Sequence, residues 1–416
     1  MRKGASWNSF AASSVTLALV LDWVPAYVGL DPTFFSLLKI VVIPVLVADC
    51  LLRPADYLSA RATRFGRVFL AGYLIGAGGG VLLGRVPVAR FLALAPVTPI
   101  LIFYLKPRSP EETGRILRLA VLGSLLVAVT LVAGATGVIS ASYSEDLASG
   151  SRFITGVSFS TLGLYGGFIA ASLGGLVFLT RRSRMRAGLV VLCGSNLVLG
   201  LVGALVTGQR TAVGVFALAF GVSFVLYARR SGRTGLRAAV ALAVLLAAVG
   251  WQFRSVLGEV AATTVGRIES IGDDPGVSGA ELRWSFYKRF VSDLTNGPSF
   301  LAAGADDFVS ELGDVPHLIV GEAYYDGGLV LMGVVLAGLL ASGWNAWRSY
   351  WNQAGSPAAY GMQVALWCSF VAFLSLHPGL ETRMTYMVFG LLLSQKVGAG
   401  SRRCIVRRRS EGGQTS

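Results

Sequence analysis

The chain has 416 residues, of which 54% are hydrophobic and 14% are charged, and its formal net charge at pH 7 is +14. Soluble domains carry roughly a quarter charged residues, so this composition, with a mean hydropathy of +0.65, excludes an ordinary soluble protein and indicates a polytopic membrane protein. The basic residues lie in short clusters between apolar runs, which disfavours nucleic acid as a partner and indicates membrane topology.

The N-terminal residues Met1-Arg2-Lys3-Gly4 lead directly into an apolar run, and no small-residue cleavage site follows it. We therefore interpret this run as a membrane span and not as a removable signal peptide. A span needs about 20 mostly apolar residues. Twelve segments meet that criterion: 10–30, 34–52, 67–84, 88–105, 116–139, 153–180, 187–206, 211–228, 236–251, 322–343, 359–376 and 380–396. The sequence therefore predicts an all-α, polytopic integral membrane protein with about 12 transmembrane helices.

The distribution of Lys and Arg orients these spans. If the N-terminus is cytoplasmic, the inside segments hold 25 Lys or Arg and the outside segments hold ten, in agreement with the positive-inside rule. We therefore expect a multi-pass protein of the inner (plasma) membrane, embedded in the lipid bilayer, with both termini in the cytoplasm. The predicted regions are nine spans, an extracytoplasmic loop, three further spans and a basic cytoplasmic tail, at 1–251, 252–321, 322–396 and 397–416.

The long loop is a polar segment in an apolar sequence. Trp251 to Gly321 holds 10 of the 22 acidic residues and one of the two histidines. Loops of this length are usually functional or disordered, and the aromatic residues and leucines of this loop disfavour disorder. Apolar residues at helical spacing predict an amphipathic helix from about 280 to 294, ended by Asn296-Gly297-Pro298. We therefore expect a partly helical loop that faces away from ATP and nucleotide sugars.

Two groups of basic residues are candidates for binding an anionic oxygen. Arg210, in Thr207–Ala212, stands at the outer start of the eighth span, where the helix N-terminus and the guanidinium fork favour phosphate. The alternative for Arg210 is an interfacial arginine that extends to the headgroups. On the loop helix, Arg283, Tyr287 and Lys288 would project on neighbouring faces at the membrane surface. They would hold a lipid diphosphate there, or form a solvated face with headgroup contacts.

His317 is the candidate general base. Its ordinary pKa near 6.5 suits proton transfer around neutral pH, and it stands just before the tenth span, close to Glu322 and Tyr324. The alternative is an inert loop histidine. In the third span, the run Gly76–Gly80 predicts a close approach between helices or a hinge, with a lipid-binding groove as the alternative.

Three motifs follow one another between residues 190 and 345. They are the span start Thr207–Ala212; the loop residues Arg283, Tyr287, Pro298, Gly304 and Phe308; and His317 with Gly328 and the apolar run Leu329–Gly333. In order, spacing and placement, these motifs resemble those of the O-antigen ligase and O-antigen polymerase superfamily of bacterial envelope proteins. The plan of twelve spans with one large outer loop is similar to that family over the whole length.

The resemblance implies a metal-independent membrane glycosyltransferase that needs no cofactor. The donor would be a glycan on undecaprenyl diphosphate, and the acceptor a sugar hydroxyl on another lipid-linked glycan or on an anchor, in polymerisation or ligation of a surface polysaccharide. His317 would accept the proton of the attacking hydroxyl, and Glu322 would orient its imidazole. Positive charge would neutralise the leaving diphosphate. The diphosphate- and substrate-binding residues implied in this way are Arg210, Arg283, Tyr287 and Lys288.

Other functions stay open at this point. The motifs do not separate a ligase from a polymerase. A transporter or flippase of lipid-linked glycans is the main alternative, because twelve spans are common among transporters. Transporters, however, tend to have two similar halves and ionisable residues at mid-membrane, and here the acids or lysines in a position to lie deep are Asp22, Lys39 and Asp49. A non-catalytic scaffold of an envelope complex is the third hypothesis.

Overall fold

The structure is a computed structural model. It describes residues 2–21, 32–58, 61–94, 97–106, 110–135, 142–146, 150–154, 159–177, 186–206, 215–219, 279–304, 318–352, 357–374 and 383–394, with single positions such as 108 and 308 between these ranges.

The described part of the chain is a helical bundle with one small hairpin. The helices are α1 (Arg2–Leu21), α2 (Pro32–Leu52), α3 (Pro54–Leu58), α4 (Arg61–Leu82), α5 (Val88–Leu94), α6 (Val97–Leu105), α7 (Pro110–Ala135), α8 (Phe159–Val177), α9 (Arg186–Val206), α10 (Gly279–Asn296), α11 (Ile319–Asn352), α12 (Pro357–Leu374) and α13 (Arg383–Leu393). The two antiparallel strands are β1 (Ser142–Asp146) and β2 (Gly150–Ile154).

The hairpin changes one predicted boundary. The sixth span was expected from residue 153, but Phe153 lies in β2 opposite Tyr143 of β1, and α8 begins at Phe159. Phe153 and Ile154 are residue types with high strand propensity, and a cross-strand partner was not visible from hydropathy. The apolar run therefore divides into a strand end and a shorter helix.

Apolar helices occur where most spans were predicted. Five helices in the described ranges are long and apolar enough to cross a membrane: Arg64–Leu82, Val88–Leu105, Glu112–Ala133, Ala187–Ala204 and Ile319–Arg348. Shorter apolar stretches are Phe10–Val20, Val42–Leu52, Gly166–Leu176, Gly361–Ala372 and Arg383–Leu393. Each of these coincides with a predicted span, which confirms a membrane-embedded helical protein. The predicted span 211–228 is described only at 215–219 and three further positions, and the span 236–251 only at two positions. The count of twelve, the orientation and the choice of membrane therefore stay predictions.

Small residues allow the helices to approach closely. A Cβ on Gly174 of α8 would lie 2.3 Å from the Gly361 carbonyl oxygen of α12, and one on Gly76 of α4 would lie 2.2 Å from the Gly327 carbonyl oxygen of α11. Between helices in lipid, where no hydrophobic effect drives association, this close van der Waals contact is the main source of packing energy. The helix pairs α8–α12 and α4–α11 are accordingly among the most closely packed pairs of described helices.

A glycine and two capping hydrogen bonds form the turn after α4. Gly84 has φ of 69°, the left-handed conformation that glycine adopts without steric cost. The amide of Arg85 donates to the Gly80 carbonyl at 2.8 Å, and the amide of Gly84 donates to the Val81 carbonyl at 3.0 Å, which is the hydrogen-bond pattern of a Schellman cap. This tight turn at Gly84-Arg85-Val86-Pro87 brings α5 back beside α4.

Candidate functional site

The loop helix packs on the first turns of α11. The helix expected from about 280 to 294 is confirmed as α10, which ends at Asn296 before Gly297-Pro298. Its apolar stripe, with residues at helical spacing, packs against aromatic rings from α11 and from residue 308. Ring centroids lie 5.8 Å apart for Phe290–Tyr324 and 4.5 Å apart for Phe308–Tyr325, distances typical of favourable aromatic pairs. The aromatic cluster comprises Phe286, Phe290, Phe308, Tyr324 and Tyr325.

The hydroxyl groups of this aromatic cluster are paired. The Tyr325 hydroxyl donates to Asp293 Oδ2 at 2.7 Å, and Asp293 also accepts from Arg289 Nε at 3.1 Å. The Tyr324 hydroxyl accepts a hydrogen bond from the Ser299 amide at 3.1 Å. Because each buried hydroxyl has a partner, the cluster joins α10 to α11 by polar contacts as well as by ring packing.

A non-helical segment, Ser299–Gly304, crosses a break in α11, and we call it the strap. The amides of Ala303 and Gly304 donate to the carbonyls of Tyr324 and Tyr325, at 3.4 and 3.2 Å. On the other side of the break, the amide of Leu329 donates to the Ser299 carbonyl at 3.0 Å. The strap therefore supplies partners to backbone groups that a continuous helix would have paired internally.

Two glycines make this crossing possible. Gly328 has φ of 65° and ψ of −162°, which interrupts the helix, and a Cβ on it would lie 2.1 Å from the Leu301 carbonyl oxygen. Gly304 has φ of 102°, again a conformation that side chains disfavour. Both glycines, and the buried Phe308, belong to the motifs singled out from the sequence, so residues from separate motifs meet at the strap.

The glycine run of α4 lies behind the strap. A Cβ on Gly79 would lie 3.0 Å from Leu301 Cδ1, and a Cβ on Gly80 would lie 2.5 Å from the Ala302 side chain. Any larger residue at Gly80 would therefore displace the strap from α4. The predicted close approach at this run is confirmed, with the strap as well as α11 as the neighbour.

A buried ion cluster holds the first part of α11 to α5. Arg90 donates to both carboxylate oxygens of Asp326, from Nε to Oδ1 at 2.5 Å and from Nη2 to Oδ2 at 2.9 Å. Arg90 Nη2 also lies 3.8 Å from Glu322 Oε1, and both carboxylates are buried. Bidentate arginine–carboxylate contact is the strongest of the side-chain hydrogen-bond geometries, and removal of one partner from a buried ion pair typically costs about 3–5 kcal/mol. We call Arg90, Glu322 and Asp326 the clamp.

A second arginine ties the α4–α5 turn to the strap. Arg85 Nη1 donates to Ser299 Oγ at 3.1 Å and to the Ala302 carbonyl at 3.2 Å. The turn between two helices near the start of the chain therefore supports a loop segment more than two hundred residues away. The α4–α5 turn, the strap and the first part of α11 form one contiguous unit.

The residues predicted for the site fall in three groups. Arg210 and His317 lie outside the described residues. Arg283 belongs to α10, but its side chain is not described, while Tyr287 is half-buried on the same helix. Lys288 is exposed, with Nζ 5.7 Å from the Trp284 ring centroid, a cation–π distance. Convergence of all six predicted residues in one cavity stays a prediction. The sixth, Glu322, is placed in the clamp.

Sequence reasoning missed the clamp partners of Glu322. Asp326 stands four residues after Glu322 on the same helix, so the pair of acids at helical spacing was a usable signal. Arg90 offered no such signal, because its contact with Asp326 spans 236 residues of sequence.

A second polar cluster lies at the opposite ends of the helices. Asp49 of α2 is fully buried and accepts hydrogen bonds from Trp7, Tyr57 and Lys106. Burial lowers the pKa of Lys106, and the contact with Asp49 opposes that shift. Burial, together with the hydrogen bond to Asp49, raises the pKa of Tyr57. Asp49 is buried near the end of α2, and its contacts are those of a structural ion pair between helices.

No protein-family model matches this sequence, and no curated protein matches it. The likeness to the O-antigen ligase and polymerase superfamily therefore stays a prediction from the motifs.

Proposed function

We propose that this chain is a membrane glycosyltransferase that moves a glycan from undecaprenyl diphosphate to a sugar hydroxyl at the outer face of the inner membrane. In this reaction the hydroxyl oxygen forms a bond to the anomeric carbon, and the bond from that carbon to the diphosphate oxygen breaks. The electron pair leaves with undecaprenyl diphosphate, whose charge Arg210 and Arg283 neutralise. The proton of the hydroxyl passes to His317, which acts as the general base.

The position of the helix break is the observation that carries this proposal. The part of α11 after the break, Leu329 to Arg348, extends roughly 30 Å at about 1.5 Å per residue. This length matches a hydrocarbon core of about 30 Å. Because this part can cross the bilayer alone, the strap, the clamp and His317 would lie at a membrane boundary, where a lipid-linked diphosphate and its hydrophilic glycan meet.

The order along the chain also supports a transfer site at this boundary. His317 directly precedes the first turn of α11, since the Glu322 amide donates to the Leu318 carbonyl at 2.8 Å. Arg283 lies on α10, which is packed on that same turn by the aromatic cluster. Two of the three motif regions thus belong to one packed unit of the described chain.

A second candidate, a transporter of lipid-linked glycans, is favoured by one observation. A discontinuous helix with buried ionisable residues beside its break is typical of transporters, and α11 with Glu322 and Asp326 has this form. In transporters, however, such breaks lie near the bilayer midplane. The length of α11 after Gly328 favours a boundary position instead.

The experiment is a transfer assay in proteoliposomes with an undecaprenyl-diphosphate-linked glycan as donor and acceptor. The expected result is release of free undecaprenyl diphosphate together with a longer glycan. Movement of the lipid-linked glycan across the bilayer, without release of the carrier or growth of the glycan, would reject the transferase and favour the transporter.

A further inference from the structure

We propose that Arg90 is a positioning residue of the transfer site, because it fixes the first turns of α11, which follow His317, against α5 and the strap. This inference rests on the proposed function. It assigns a role to a residue outside the three motifs, one that acts through Glu322 and Asp326 and does not touch the reacting atoms.

The geometry of the clamp supports this role. Arg90 is the third residue of α5 and follows the Schellman-capped turn closely, so its backbone is held by α4. From this fixed backbone position, the guanidinium group of Arg90 contacts Asp326 through two nitrogens and Glu322 through one. Two carboxylates one helical turn apart define both the rotation and the axial position of a helix, and a single contact would leave the rotation free.

The break in α11 makes this constraint necessary. At Gly328 the first turns of α11 are separated from the long membrane-spanning part by a non-helical residue. The internal hydrogen bonds of the helix therefore do not transmit the orientation of the long part to the first turns. Among the described contacts, that orientation depends on the strap, the aromatic cluster and the clamp, together with the packing of Gly327 on Gly76 of α4.

The clamp differs from the strap in what it controls. The strap is joined to α11 largely through backbone groups, whereas the clamp acts through side chains. The clamp connects the Arg90 side chain of α5 to Glu322, the residue expected to orient His317. Its loss would leave the fold largely assembled while the base and its neighbours move by a fraction of an ångström to an ångström.

The test compares Asp326→Asn with a matched control, Asp49→Asn, which breaks a second buried ion pair at the opposite end of the described bundle. The measurements are thermal unfolding in detergent, kcat and KM for the lipid-linked donor, and hydrogen exchange of the amides at 299–304 and 318–326. Both variants should lower the melting temperature. Asp326→Asn alone should lower kcat, by about 100-fold as expected for a misplacement near 1 Å, with KM changed less than about threefold.

Exchange at 299–304 and 318–326 should rise in Asp326→Asn and stay unchanged in Asp49→Asn. Arg90→Gln should reproduce Asp326→Asn, and the double variant should lose no further activity, because residues that act as one unit are not additive. If Asp326→Asn fails to fold, Arg90→Lys replaces it, because lysine keeps the charge and loses the bidentate fork. Arg90→Lys should also lower kcat with little change in KM, by a smaller factor than Asp326→Asn.

Equal losses of kcat in Asp326→Asn and Asp49→Asn, or unchanged exchange in the first turns of α11, would overturn the positioning role. A wild-type protein that releases no carrier diphosphate, but whose variants show the expected exchange pattern, would overturn the proposed function and leave the clamp's control of α11 established. The exchange measurement thus distinguishes failure of the positioning role from failure of the proposed function.

Discussion

Arg90 and Asp326 are 236 residues apart in the sequence and are joined in the structure by two hydrogen bonds, at 2.5 and 2.9 Å. The contact connects the start of α5 to Asp326, which stands two residues before the break in α11 at Gly328. Because Glu322 shares the same guanidinium group, the first turns of α11 are held to α5 where the proposed chemistry would occur.

Replacement of Gly328 by alanine should destabilise the protein strongly. The residue has φ of 65°, and its new Cβ would lie 2.1 Å from the Leu301 carbonyl oxygen. Backbone strain of this kind costs about 1–3 kcal/mol, and displacement of the strap adds to it. Thermal unfolding should show the loss, whereas Gly333→Ala, on the same helix with no atom within 4 Å of the added Cβ, should be neutral or slightly stabilising. Equal changes in melting temperature for Gly328→Ala and Gly333→Ala would contradict the described path of the strap past Gly328.

Alanine substitution at two glycines of α4 should change the melting temperature in opposite directions. At Gly76 the added Cβ would lie 2.2 Å from the Gly327 carbonyl oxygen, and at Gly78 the nearest atom is a Phe91 ring carbon at 3.7 Å. Gly76→Ala should therefore separate α4 from α11 and lower the melting temperature. Gly78→Ala should gain up to about 1 kcal/mol from helix propensity. A stabilising Gly76→Ala would show that α4 and α11 are farther apart than described.

Replacement of His317 by alanine should remove most of the transfer activity. Loss of a general base typically lowers the rate by about 10²–10⁴-fold, and KM for the donor should change little. The second histidine gives the matched control, since His377→Ala should keep wild-type kcat in the same assay. Arg210→Ala should also lower kcat, because it removes positive charge from the leaving diphosphate. Full activity in His317→Ala would exclude the assigned role of this residue.

The ion pair between Asp49 and Lys106 should behave as a structural pair in a double-mutant cycle. Either single variant, Asp49→Leu or Lys106→Met, leaves a buried charged group without its partner, at a typical cost of about 3–5 kcal/mol. The double variant should be less destabilised than the sum of the two, because two apolar groups of similar volume replace the pair. Additive losses in thermal unfolding would indicate that the two charges do not interact.

The loop before α11 shows which structural features hydropathy and residue spacing can predict. The helix at 280–294 was visible because Phe286, Phe290 and Leu294 repeat at helical spacing, and α10 confirms it. The strap was not visible, since its hydrogen bonds go to backbone groups of α11 and leave no side-chain pattern. The start of the sixth span was wrong by several residues for a related reason, because strand pairing at Phe153 depends on a partner strand.

Local chemistry in the sequence specified the membrane class, the apolar helices, the turn at Gly84 and the amphipathic loop helix, because hydrophobicity, periodicity and glycine conformation act over a few residues. It also marked Glu322 and Gly328 as unusual. The pairing of Arg90 with Asp326, the passage of the strap across the break, and the contact of Gly76 with Gly327 arose from long-range packing. Such contacts depend on which helices lie side by side, and in a bundle of similar apolar helices that choice is made by three-dimensional fit between distant segments.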